Sequence, residues 1–143
     1  MQLTKNFTLE ELTVTSSKFS NIPNEDQVHN LRLLCENVLQ PVRDKFNMQM
    51  RITSGFRSPE VNKAIGGAST SQHTKGQAAD IVTSDNAKLF HLIRDHFTFD
   101  QMIWEAGNDT QPTWVHVSYS ETHNRHQCLK MVKIGGKSTY KTI

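Results

Sequence analysis

The sequence predicts an α+β domain in which a small antiparallel sheet carries one long helix and a few short ones. Three observations carry this. Between Glu25 and Phe46 apolar residues recur at three- and four-residue steps, the period of a helix with one buried stripe. Elsewhere, short runs rich in β-branched and aromatic residues stand between turn residues, as strands do. The 143 residues, 36% hydrophobic and 21% charged, form one domain that can bury a core without disulfide staples.

In chain order, Thr8 and Glu11 make a capping box for a short helix, with Phe7 placed to staple against Leu12. Ser16 to Asn24 is polar and reads as a loop. The long helix follows over Glu25 to Phe46, with Val28, Leu31, Leu34, Cys35, Val38, Leu39, Val42 and Phe46 as its stripe. Pro41 lacks a backbone donor, so a kink or break is expected near Leu39 and Gln40. Gln49 to Ser54 alternates as a strand and ends at Gly55. Ser58-Pro59 then starts a helix, which runs to about Ile65 and is stopped by Gly66-Gly67. Ala78 to Thr83 reads as a second strand. Ser84 or Asp85 caps a helix to about His96, whose buried face is Leu89, Phe90, Ile93 and Phe97. Phe99 to Glu105 and Trp114 to Tyr119 read as strands joined in a hairpin through Gly107-Asn108-Asp109. Gln127 to Ile134 reads as the last strand, and residues 135–143 as a frayed, flexible tail.

Composition excludes several classes. Net charge is only +2, with no basic patch interleaved with aromatics, which argues against nucleic-acid binding. The four lysines from Lys130 to Ile143, with no acid among them, read as a solvated basic edge. Cys35 and Cys128 lack C-x-x-C spacing and read as buried thiols. No apolar run reaches membrane-spanning length, so membrane insertion is not expected. The first residues lack the basic-then-apolar pattern of a secretory signal, so synthesis in the cytoplasm is expected. His91 and His96 read as solvated or capping residues, and His123 and His126, three apart in a polar loop, as part of an exposed linker rather than an adventitious metal pair.

The chemistry concentrates in Ser71 to Asp80. His73 and Asp80 are seven positions apart. An extended strand would part them by roughly 23 Å at about 3.3 Å per residue, and a helix by about 10.5 Å along its axis. Neither lets both grip one ion through bonds of about 2 Å. A reversal at Gly76 does, because glycine takes φ > 0 without steric strain and folds the His-bearing loop over the Asp-bearing strand. The third ligand is expected in Thr113 to Tyr119, where His116 and Trp114 share one strand face. Two imidazoles and a carboxylate would leave a coordination position open for water. On spacing alone a hydrogen-bonded loop and strand explain the same residues equally well.

Ser71, His73, Gly76, Ala78 and Asp80 follow the pattern Ser-x-His-x-x-Gly-x-Ala-x-Asp. In this the chain resembles the zinc D-Ala-D-Ala carboxypeptidases and related peptidoglycan peptidases, phage endolysins among them. Hedgehog signalling domains share that fold. Ser54-Gly55-Phe56-Arg57-Ser58 and Trp114-Val115-His116 look like two further family blocks, in the right order. The resemblance runs from about Phe7 to Tyr119 and is greatest to the small, phage-associated branch.

The resemblance implies a Hedgehog/DD-peptidase-like fold with a metal cleft on one face, and one zinc ion per chain held by His73, Asp80 and His116. It implies a zinc metallopeptidase, acting on peptidoglycan stem peptides or cross-links through a metal-activated water. It gives Arg57 the role of holding the substrate peptide, which suits a guanidinium. Relatives often carry an acid three residues before the last histidine, where this chain has Thr113. Glu105, across the expected hairpin from His116, is the replacement general base. Asp109 is the runner-up. Gln72 is a candidate oxyanion donor and, equally, a loop hydrogen-bonder. Ser71 is expected to fix the loop. The chain is expected to be a monomer of phage or prophage origin, reaching the wall after release or on a virion. Two other readings remain: a non-catalytic zinc module that binds cell wall, motivated by Thr113, and an iron(II) facial-triad oxygenase. Facial triads generally place a histidine one residue from the carboxylate and use a jelly roll, against both the spacing here and the helix content.

Overall fold

Side chains alternate across a strand, so each strand here sends one set of residues to a helix layer and the other set to an open cleft. A computed structural model describes all 143 residues. The chain opens with a two-stranded ribbon, β1 (Gln2–Thr4) and β2 (Phe7–Thr8), leading into α1 (Leu9–Leu12). Thr8 and Glu11 form the expected capping box, and Phe7 and Leu12 are both buried.

The long helix is α2 (Glu25–Leu34), a π segment (Cys35–Leu39) and α3 (Gln40–Phe46) in continuous succession. Asn24 and Gln27 cap its start reciprocally. The ladder is disturbed in the turn that ends at Leu39 and Gln40, next to Pro41. Its ring would strike the carbonyl four residues back, so the turn before it widens and Gln40 donates to Cys35 instead. Leu31, Leu34, Val38, Leu39 and Val42 are fully buried, as the stripe requires.

Next come β3 (Arg51–Ser54), α4 (Pro59–Ala64), a 3₁₀ turn (Gln72–Lys75), β4 (Ala78–Val82) and α5 (Asn86–His96). Ser58 caps α4 and Asp85 caps α5. The remaining strands are β5 (Gln101–Glu105), β6 (Trp114–Ser118), β7 (Gln127–Ile134) and β8 (Lys137–Thr142). One sheet runs in the order β3-β4-β6-β5-β7-β8. Its pairs are antiparallel except β5 and β7, which run parallel. The expected hairpin of β5 and β6 forms. The sheet is therefore mixed, because residues 119–126 carry the chain back to the starting end of β5 before β7 begins.

The segment from Gly135 onward, expected to be a frayed tail, is the strand β8. Gly135 and Gly136 take φ of 58° and 80°, and Ile134 pairs with Lys137 across them. Two left-handed residues between paired strands make the two-residue turn whose twist matches a hairpin.

One face of the sheet, with Ala79, Ile81, Met102, Val115 and Val117, packs against the long helix and α5. The other face looks into the cleft. Neither layer resembles the jelly roll of a facial-triad oxygenase.

Candidate metal centre and its cleft

His73 is held by its own turn before it meets any other part of the site. The Ser71 hydroxyl accepts from His73 N at 3.2 Å, and Gly76, at φ 74°, closes the turn by donating to His73 O at 3.3 Å. A Cβ at position 76 would fall 2.5 Å from the Gln27 carbonyl oxygen, so only glycine lets the turn lie against α2. Gln27 and Asn30 donate from α2 to the carbonyls of Thr74 and Lys75. Inside the protein, His73 Nδ1 lies 2.7 Å from the Gly55 carbonyl oxygen. A carbonyl only accepts, so Nδ1 carries the proton and Nε2 presents its lone pair to the cleft.

Asp80 and His116 face each other across β4 and β6 in register. Directly opposed residues share a sheet face. Asp80 Oδ1 lies 3.1 Å from His116 Nδ1 and 3.3 Å from His73 Nε2. The three ligand atoms all sit within 4.8 Å of one another. Donors around a tetrahedral ion with bonds of about 2.0–2.1 Å are about 3.3 Å apart. The residues therefore fit a zinc ion in spacing, in donor chemistry and in the fixed tautomer of His73. Burial alone would raise the Asp80 carboxyl, but the hydrogen bond with His116 and the close approach of the His73 imidazole more than reverse it and hold it well below the usual range. Asp80 is thus a carboxylate at neutral pH, as a ligand must be.

Arg57 stands behind this group. Its Nη2 donates to Asp80 Oδ2 at 3.2 Å, its Nε to Ser54 at 2.9 Å and its Nη1 to Asn62 at 3.3 Å. The guanidinium expected to clamp substrate is therefore tied into the protein, and its first task is to orient Asp80. It still lines the cleft.

Glu105 ends β5 opposite Trp114, the residue two before His116 on the same face. It is buried on the cleft wall. Burial pushes its carboxyl up to about 7. The Asp80 charge adds to that rise, while His116 and Arg57 oppose it. Asp109 is elsewhere, 93% exposed and paired with Lys130. Thr113 is exposed and donates its backbone N–H to Glu105 O at 2.9 Å, closing the hairpin.

Gln72 does not stand free as an oxyanion donor. Its amide nitrogen donates to Asp100 Oδ2 at 2.9 Å. Asp100 is buried and also accepts from Arg125 Nε at 2.8 Å, Nη2 at 3.1 Å and backbone N at 3.1 Å. This carboxylate ties the His73 turn, β5 and the segment before β7 together. Sequence reading missed it, because nothing local marks a partnership between positions 72, 100 and 125.

The whole arrangement lines a cleft of about 780 Å³. The family model described as Peptidase M15 matches residues 5–118, most of the chain. The chain belongs to the M15 peptidase family. No curated protein matches it. M15 peptidases are zinc-dependent, and all three ligand candidates, Arg57 and Glu105 lie within the matched span. The match ends with β6, so β7 and β8 lie beyond it.

Proposed function

We propose that this M15 family member is a zinc-dependent peptidase that hydrolyses peptide bonds in peptidoglycan stem peptides or cross-links. The observation that carries the reading is the convergence of the ligand atoms of His73, Asp80 and His116 within 4.8 Å of one another, with Glu105 in the same cleft. His73, Asp80 and His116 would hold one zinc ion. Bound there, zinc would supply a Lewis acid for the scissile carbonyl and would lower the pKa of a water.

The protein's own groups do the rest. Gly55 fixes the His73 tautomer, and Arg57 fixes the outer oxygen of Asp80. Glu105 takes the proton of the attacking water and passes it to the leaving amine. Burial, which raises its carboxyl above the usual range, helps it hold the proton that it passes on. Arg57 keeps one further N–H on each of Nη1 and Nη2, and these point the guanidinium's remaining capacity to a substrate carbonyl or carboxylate. The resemblance of the Ser54–Ser58, Ser71–Asp80 and Trp114–His116 blocks supports placing the protein in the phage-associated branch, acting on the wall after release or on a virion.

The test uses purified cell walls and zinc-loaded protein. Solubilisation by wild type, with loss by at least a hundredfold in His73→Ala and Asp80→Ala proteins, is expected. Full activity in both variants would sink the proposal. The wall-binding module remains the second reading because Thr113 occupies the position where relatives often carry an acid. Binding to walls with no bond cleaved under any metal condition would select it.

A further inference from the structure

The strands beyond the family match extend the cleft. Across the sheet, Trp114 pairs with Glu105, Glu105 with Met131, and Met131 with Tyr140. Opposed residues share a face, so β7 and β8 present Leu129, Met131, Lys133 and Tyr140 to the same cleft as the metal ligands. Three strand spacings separate β6 from β8, about 14 Å at about 4.8 Å each. An extended peptide covers that in about four residues at about 3.3 Å per residue.

Resting on the peptidase reading above, we propose that the β7–β8 hairpin is a distal substrate subsite, which makes this protein select peptides extending about four residues from the scissile bond. Leu129 and Met131 form an apolar floor. Tyr140 is 51% exposed although it faces the cleft, and an open aromatic face suits a small aliphatic side chain. Lys133, two residues along β7 from Met131, is the lysine of this hairpin that lines the cleft. The occupant is thus a peptide with small apolar side chains and a free carboxylate, the chemistry of a peptidoglycan stem. Continuity with the metal cleft argues for this occupant, and the Lys133 ammonium argues for its carboxylate.

The experiment is calorimetric titration of synthetic stem peptides of two and five residues into zinc-loaded protein. A Glu105→Gln background lets the peptides persist. In that background Tyr140→Ser and Lys133→Glu should each weaken the five-residue peptide roughly three- to tenfold. Both should shrink its advantage over the two-residue peptide. Lys141→Ser, on the opposite face of β8, should bind like the background protein. Equal affinities across all these proteins would overturn the proposal. So would a dimer in sedimentation that Tyr140→Ser dissolves, since the face would then belong to a second copy. If length-dependent binding behaves as expected but protein with Glu105 intact cleaves nothing, the subsite stands and the peptidase reading fails.

Discussion

Replacing Glu105 by glutamine separates its chemistry from its burial. The shape is kept and the proton acceptor is lost. In zinc-loaded protein, turnover should fall about 10²- to 10⁴-fold, the range of a general base. In metal-free protein, stability should change with pH. The Glu105 carboxyl is raised from its ordinary 4.5 to about 7 in the fold. An acid raised on folding contributes stability that is complete below about pH 4.5 and disappears as pH rises through about 7. Above that, wild type carries a buried carboxylate that the variant lacks. The full rise corresponds to roughly 3 kcal/mol at about 1.4 kcal/mol per tenfold, and water entering the cleft reduces this to about 1–2 kcal/mol. Urea denaturation of both metal-free proteins at pH 5 and pH 8 measures it. The variant should gain on wild type between those two values. An unchanged difference would refute the burial argument, and wild-type turnover with zinc would refute the base assignment.

Three further outcomes follow from the same geometry. Adding zinc at a hundred to a thousand times its dissociation constant should stabilise metal-free protein by about 2.7–4.1 kcal/mol, read as a rise in Tm that a chelator reverses. Arg57→Ala should weaken zinc binding about 10- to 100-fold by freeing the outer oxygen of Asp80, measured by competition with a chromophoric chelator. Gly76→Ala should destabilise the protein by more than the roughly 1–2 kcal/mol of a left-handed residue, because its Cβ meets the Gln27 carbonyl oxygen at 2.5 Å. Denaturation and zinc affinity should both report it.

Much of the site was legible because its signals are local. The glycine between His73 and Asp80, the Ser58-Pro59 start of α4 and the apolar stripe of the long helix each follow from residues within one or two turns. Glu105 was reachable through the hairpin, since a turn at Gly107 sets β5 against β6. The misses have the opposite character. Strand β8 alternates serine and tyrosine with threonine and lysine, so its pattern carries no apolar period, and only the two glycines before it announce a hairpin. The parallel entry of β7 depends on where a polar loop returns the chain. Arg57 lines the cleft as expected, but its added tie to Asp80, distant in sequence, was not legible. Asp100 joins Gln72 to Arg125 only after the sheet has formed. Long-range polar partnerships of this kind leave no period to read.

If His73, Asp80 and His116 form a catalytic zinc centre, cleavage must come and go with the ion. The most direct measurement is incubation of the protein with defined muropeptides, first stripped by chelator and then resupplied with zinc, with products identified by mass spectrometry. Cleavage that disappears with chelator and returns with one zinc per chain is the predicted result, and the product mass names the bond. One tightly bound zinc per chain with every muropeptide left whole would contradict the claim.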